Sequence, residues 1–162
     1  MNKQFAILFL PLLIWALGAN AQAPDESGSV AELRQITLTM QNNTEPRVEL
    51  PMETLEKVLV AVLEERGFSV VPPDTEGAAN CVATVTAFEE KSAGEKGADQ
   101  DFSMRMKMDV SRSGSLLSGS YSVNTMKRFP AEQVNADRAA CLETFFRQAA
   151  ETGAKDLSLF FP

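Results

Sequence analysis

Residues 102–110 alternate without interruption. Phe102, Met104, Met106, Met108 and Val110 hold one parity, and Ser103, Arg105, Lys107 and Asp109 hold the other. Helical side chains recur every ~3.6 residues, so this pattern would scatter its apolar groups around a helix; a strand collects them on one face. A sheet with such a face must be covered, and the rest of the chain has to supply the cover. Adjacent methionines of the triplet stand two residues apart between Phe102 and Val110, as unbranched core side chains would. The competing reading is a thioether Cu(I) site.

The cover is legible. Pro51 opens a helix on which Met52, Leu55, Val58, Leu59, Val62 and Leu63 form one stripe at 3/4 spacing, with Glu53 and Glu56 near its positive end and Gly67 as its C′ residue. A second helix starts at about Ala136, with Asn135 as N-cap, and buries Leu142, Phe145, Phe146, Ala149 and Ala150. Gly153 is expected to kink or end it. Strands are expected at 33–40, 68–71, 81–88, 102–110 and 116–125, with a hairpin turn at 111–114. In the last strand Leu117, Gly119, Tyr121 and Val123 share one face, and Leu116, Ser118, Ser120 and Ser122 the other. Residues 91–101, rich in Gly, Ala and charge, read as an exposed mobile loop. The order is β-α-β-β-β-α: a two-layer α+β sandwich, mostly antiparallel, with two helices on one face. A single domain spans 33–162.

The first 21 residues are read as an address. Lys3 precedes an uncharged run at 5–17, and Ala19-Asn20-Ala21 supplies small residues for cleavage after Ala21. This is the layout of a secretory signal peptide. The apolar run falls short of the ~20 residues that span a bilayer. Residues 22–32 form a flexible tail. No cysteine lies near the cut, so a soluble exported product is expected, periplasmic first and secreted second. Loss of Lys3 takes the net charge from −7 to −8. That balance argues against nucleic acid and against adsorption to anionic lipid.

The chain has no histidine. This excludes Ser-His-Asp and Cys-His catalysis and His-ligated metals. No catalytic, metal or cofactor residue is assigned. Cys81 and Cys141 make an even count in an exported chain and point to a disulfide. Closing a loop of about 60 residues would stabilise the fold by ~4 kcal/mol on the chain-entropy model. The alternative is two separate buried thiols. The polar face of the hairpin carries Arg105 and Lys107 beside Ser118, Ser120 and Ser122, with Lys127 and Arg128 beyond. It is either a solvated sheet face or a docking surface for an anionic group or protein partner. Glu64-Glu65 and Glu89-Glu90 are neighbours that face different directions. Asn42-Asn43-Thr44 matches a glycosylation sequon.

The run TLEKVLVAVLEERGFSVV at 54–71, with ANCVATVT at 79–86 and the hairpin after it, resembles a group of bacterial envelope proteins. The group includes the LPS-assembly lipoprotein, the curli-secretion lipoprotein family and the N-terminal domain of TolB. The resemblance covers about 33–160 and implies an accessory or assembly role without catalysis. Many of those relatives carry a lipidated cysteine that this chain lacks. The expectation is an exported, non-enzymatic envelope protein acting by protein–protein docking. A carrier of a lipid or amphipathic ligand between helices and sheet is the runner-up, and a His-free hydrolase using carboxylates the third reading.

Overall fold

The computed structural model describes residues 34–161. It contains β1 (Gln35–Asn42), α1 (Met52–Glu65), β2 (Ser69–Val70), β3 (Ala79–Ala93), β4 (Asp99–Ser111), β5 (Ser118–Pro130), α2 (Ala131–Ala136) and α3 (Arg138–Leu157). The expected signal peptide (1–21) and tail (22–32) lie outside the described residues.

One sheet has the order β2-β1-β3-β4-β5. β1 lies parallel to β2 and β3, while β3, β4 and β5 pair antiparallel. The α+β sandwich expected from the pattern is what forms. Along β4, Phe102, Met106 and Met108 are fully buried and Met104 nearly so, which makes the methionine triplet part of the core. α1 presents Leu55, Leu59, Val62 and Leu63 to the same side. Its end is set by Gly67 at φ +80°. The Gly67 N–H donates to the Glu64 carbonyl at 2.9 Å and the Phe68 N–H to that of Leu63 at 3.0 Å. This pair of bonds is a Schellman motif, and it turns the chain straight into β2.

A bulge redirects β3. Val85 stands opposite Met106 and Ala87 opposite Arg105, so Thr86 is the extra residue. Side-chain parity flips there. Cys81, Ala83 and Val85 point inward, whereas beyond the bulge Phe88 does. The sequence pattern alone puts Ala87 with Cys81; the bulge turns Ala87 to the other face.

Other expectations need correcting. Residues 91–101 are mainly strand, not a mobile loop: Lys91 pairs with Asp101 and Ala93 with Asp99, and Gly94 and Gly97 close the turn at φ +73°. These strand ends carry polar groups on both faces, so the apolar alternation stops while the backbone ladder continues. Asn135 lies inside α2 and does not cap the last helix. Asp137 does, accepting the Ala140 N–H at 3.0 Å. α3 runs through Gly153 to Leu157.

Cys81 and Cys141 are unbonded, so the expected disulfide is absent. They sit in different halves of the core. Cys81 packs in a cluster with Ala150, Ala154 and Leu157, while Cys141 belongs to the cluster of Phe88, Phe102 and Phe145. Nine to sixteen residues of α3 separate Cys141 from the helix residues around Cys81, about 13–24 Å of helix axis. A disulfide needs Cα atoms within roughly 7 Å.

Candidate functional site

β4 and β5 place Arg105, Lys107, Ser118, Ser120 and Ser122 on the side of the sheet opposite the helices, and all five are exposed. The hairpin register sets Lys107 beside Ser122, Asp109 beside Ser120 and Arg105 beside Asn124. The residues expected to share a face do share it. The face is less basic than expected, because its acids fall next to its cations. Lys107 Nζ lies 2.8 Å from Asp109, and Arg128 makes a two-pronged pair with Asp101 at 2.7 and 2.8 Å. Lys107 and the Ser120 hydroxyl hold the Asp109 carboxyl below its ordinary value, and the Arg128 guanidinium does the same for Asp101. Lys127 leaves this face altogether: its ammonium lies 5.4 Å from the Phe129 ring centre, on the opposite parity from Arg128.

Arg105 differs from Lys107 and Arg128 in that its hydrogen-bond partner is neutral. Its Nε donates to the neutral Asn124 Oδ1 at 3.0 Å. It borders a groove of about 470 Å³ lined by Ala87, Glu89, Ser103, Asn124 and Met126. The bulge at Thr86 shapes this groove by turning Ala87, a small side chain, outward opposite Arg105. The acids of this face were visible in the sequence, since Asp101 and Asp109 share the parity of Arg105 and Lys107. Asn124 was not, because its place opposite Arg105 depends on the hairpin register.

The remaining candidates resolve separately. Burial and the charge of Asp109 push the Cys81 thiol up to about 12, and burial also raises that of Cys141. Thiols so shifted remain protonated and unreactive at neutral pH. The neighbouring carboxylates diverge into ion pairs: Glu90 with Arg138, Glu89 with Lys91 and Glu65 with Arg147. Asn42 of the sequon is held within its loop. Its Nδ2 donates to the Val48 carbonyl at 2.8 Å, and its Oδ1 accepts from the Thr44 N–H and hydroxyl. Among the described residues, no helix is long and apolar enough to cross a membrane.

No family model and no curated protein matches the sequence. Solved bacterial structures do share the fold. A DUF330 protein from Xanthomonas campestris superposes with a TM-score of 0.58 at 13% identity, covering 78% of this chain and 84% of its own. The minor lipoprotein of Acinetobacter baumannii gives a TM-score of 0.55 at 10% identity, over 80% and 97% of the two chains. A Caulobacter crescentus protein assigned as a lipoprotein gives 0.53 at 14%, over 80% and 89%. At such identities the likeness is one of fold. The coarser part of the resemblance read from the sequence, to bacterial lipoproteins, therefore holds at the level of fold; the likenesses single out none of the families named there.

Proposed function

We propose that this chain is an exported, non-enzymatic accessory protein of the bacterial cell envelope that docks a protein partner on the outer face of its sheet. One observation carries the reading: the covering helices occupy one side, and the side bearing Arg105, Lys107, Ser118, Ser120 and Ser122 is left exposed. Alternating cations, acids and hydroxyls offer a partner both donors and acceptors, with Arg105 and its groove as the anchor. Such patterned surfaces set specificity and association rate more than raw affinity. The fold shared with lipoproteins supports an envelope location, and the leader-like segment at 1–21 supports export into the periplasm.

Carriage of a lipid is disfavoured by the interior. Phe102, Met106, Met108 and Phe145 fill the space between sheet and helices with no exposure to solvent. The test is crosslinking in intact cells with the wild-type chain and the double variant Arg105→Glu, Lys107→Glu. The wild type should capture an envelope protein in a salt-dependent manner, and the double variant should lose that capture. Equal capture with equal salt dependence in both would remove the outer face as the docking surface.

A further inference from the structure

Among the described residues β5 pairs only with β4, so its other side is an edge of the sheet. Hydrogen bonds at the two ends of the hairpin show which backbone groups face that edge. The Arg112 N–H donates to the Leu117 carbonyl at 3.0 Å and the Ala131 N–H to the Ala98 carbonyl at 2.9 Å. Both pairs extend the β4–β5 register, which joins Ser111 to Ser118 and Asp99 to Pro130. Antiparallel ladders alternate bonded and non-bonded pairs. The bonded pairs therefore join even-numbered residues of β4 to odd-numbered residues of β5. It follows that the N–H and C=O groups of Ser118, Ser120, Ser122, Asn124, Met126 and Arg128 point away from the sheet. All six side chains are exposed.

Long edges are ordinarily shortened, bulged, interrupted by proline or studded with charge; β5 confines its charge to Lys127 and Arg128 and leaves 118–126 uncharged. The opposite edge obeys this rule: β2 has only 2 residues, and Pro72-Pro73 follows soon after it. β5 has 13 residues, keeps one register throughout, and meets its only proline at Pro130. The exposed large apolar residues among those described are Leu116, Met126 and Leu159, and two of them belong to this strand or its approach. Met126 lies on β5 and Leu116 just before it. Leu159 adjoins Phe160, whose ring stacks on Tyr121 of β5 at 5.6 Å.

We infer that β5 is a self-pairing edge, to which a second copy of this chain adds its own β5 antiparallel about a two-fold axis at Asn124. The match of inner and outer faces about Asn124 fits a second copy, and charge selects its orientation. β5 carries Lys127 and Arg128 near one end and no acid, so an in-register parallel pair would stack like charges. The antiparallel pair sets Ser120 opposite Arg128, Ser122 opposite Met126 and Tyr121 opposite Lys127. The two Lys127 side chains then stand about 20 Å apart along the strands. Val123 faces Thr125 on the inner side, which keeps buried face against buried face. Pro130, which lacks an N–H, ends the ladder. This self-pairing goes beyond the docking reading and does not depend on it.

The test is the mass in solution of the chain purified after export, measured by light scattering across a concentration series. The wild type should be a dimer. Ser122→Pro should be a folded monomer whose melting temperature no longer depends on concentration, because the N–H it removes points outward and the bonds to β4 remain. Met126→Lys, which leaves the backbone intact, should also weaken the dimer. Asn124→Cys should oxidise to a covalent dimer, since residues of a bonded antiparallel pair stand about 5.5 Å apart at Cα, within disulfide range. A wild type that stays monomeric throughout overturns the inference. So does a dimer that survives both Ser122→Pro and Met126→Lys. The double variant Arg105→Glu, Lys107→Glu, which changes β4 alone, should leave this mass unchanged, so the two proposals are read separately.

Discussion

The two halves of the core use opposite means to join the same helix to the same sheet. At the end near Phe145, contact is ring against ring. Phe145 lies 5.9 Å from Phe102 and 6.2 Å from Phe88 between ring centres. At the end near Gly153, the helix backbone itself meets side chains of the sheet. The Tyr121 hydroxyl donates to the Gly153 carbonyl at 2.8 Å. A Cβ added at Gly153 would stand 2.9 Å from Met108 Sδ. Ala150 and Ala154, both fully buried, continue this small-residue contact. One helix thus covers a sheet that is thick with aromatic rings at one end and thin at the other. The spacing between layers is set by residue size at each level, not by the helix.

The sharpest way to break the aromatic half is Phe145→Ala. It removes a fully buried ring with three ring neighbours and should cost about 3–5 kcal/mol in denaturant unfolding. Alkaline pH should weaken the thin half through Cys81. The Cys81 thiol titrates at about 12 when folded, against 9.0 as its ordinary value. The stabilisation is therefore complete below pH 9 and is lost as the pH rises toward 12, at about 1.4 kcal/mol per unit. Cys81→Ala should flatten this slope in unfolding curves taken across the window. Tyr121, also raised by burial, would retain a slope of the same sign.

A double-mutant cycle sharpens the contrast. Gly153→Ala should destabilise by about 1–2 kcal/mol through overpacking on Met108. In a Met108→Ala background the same change should turn neutral or stabilising by up to ~1 kcal/mol, since alanine is the better helix former. Additive effects would show that the close approach carries no energy. The smallest expected effect is that of Tyr121→Phe, which removes one hydrogen bond to Gly153 and should cost about 1 kcal/mol. A loss as large as that at Phe145 would mean that the hydroxyl anchors the helix.

Much of the fold was legible. Alternation at 102–110 and the 3/4 stripe of α1 identified their buried faces residue by residue, because each is a local period imposed by one solvent boundary. Gly67 could be read as a helix terminator because few other residues adopt φ +80° without strain. The failures share one cause. The bulge at Thr86 has no signature of its own, yet it exchanges Ala87 for Phe88 on the inner face. The strands at 91–101 pair through backbone bonds, which leave no mark on side-chain polarity. The cap at Asp137 competes with a plausible Asn135 two residues away, and only the break between α2 and α3 decides between them.

The candidate face shows the same division. Which residues share it followed from parity alone. Its electrical character did not, since the pairing of Arg128 with Asp101 and of Arg105 with Asn124 requires the register between two strands. By itself, then, the sequence determined the secondary-structure periods, the buried faces and the absence of histidine chemistry, because those depend on residue type and local spacing. Only the tertiary structure decided how far apart Cys81 and Cys141 lie, which cations keep an acid beside them and which strand is left as a long open edge. Those are distances between residues remote in the chain, and they are fixed by packing and by the ladder of backbone hydrogen bonds, to which side-chain pattern is nearly blind.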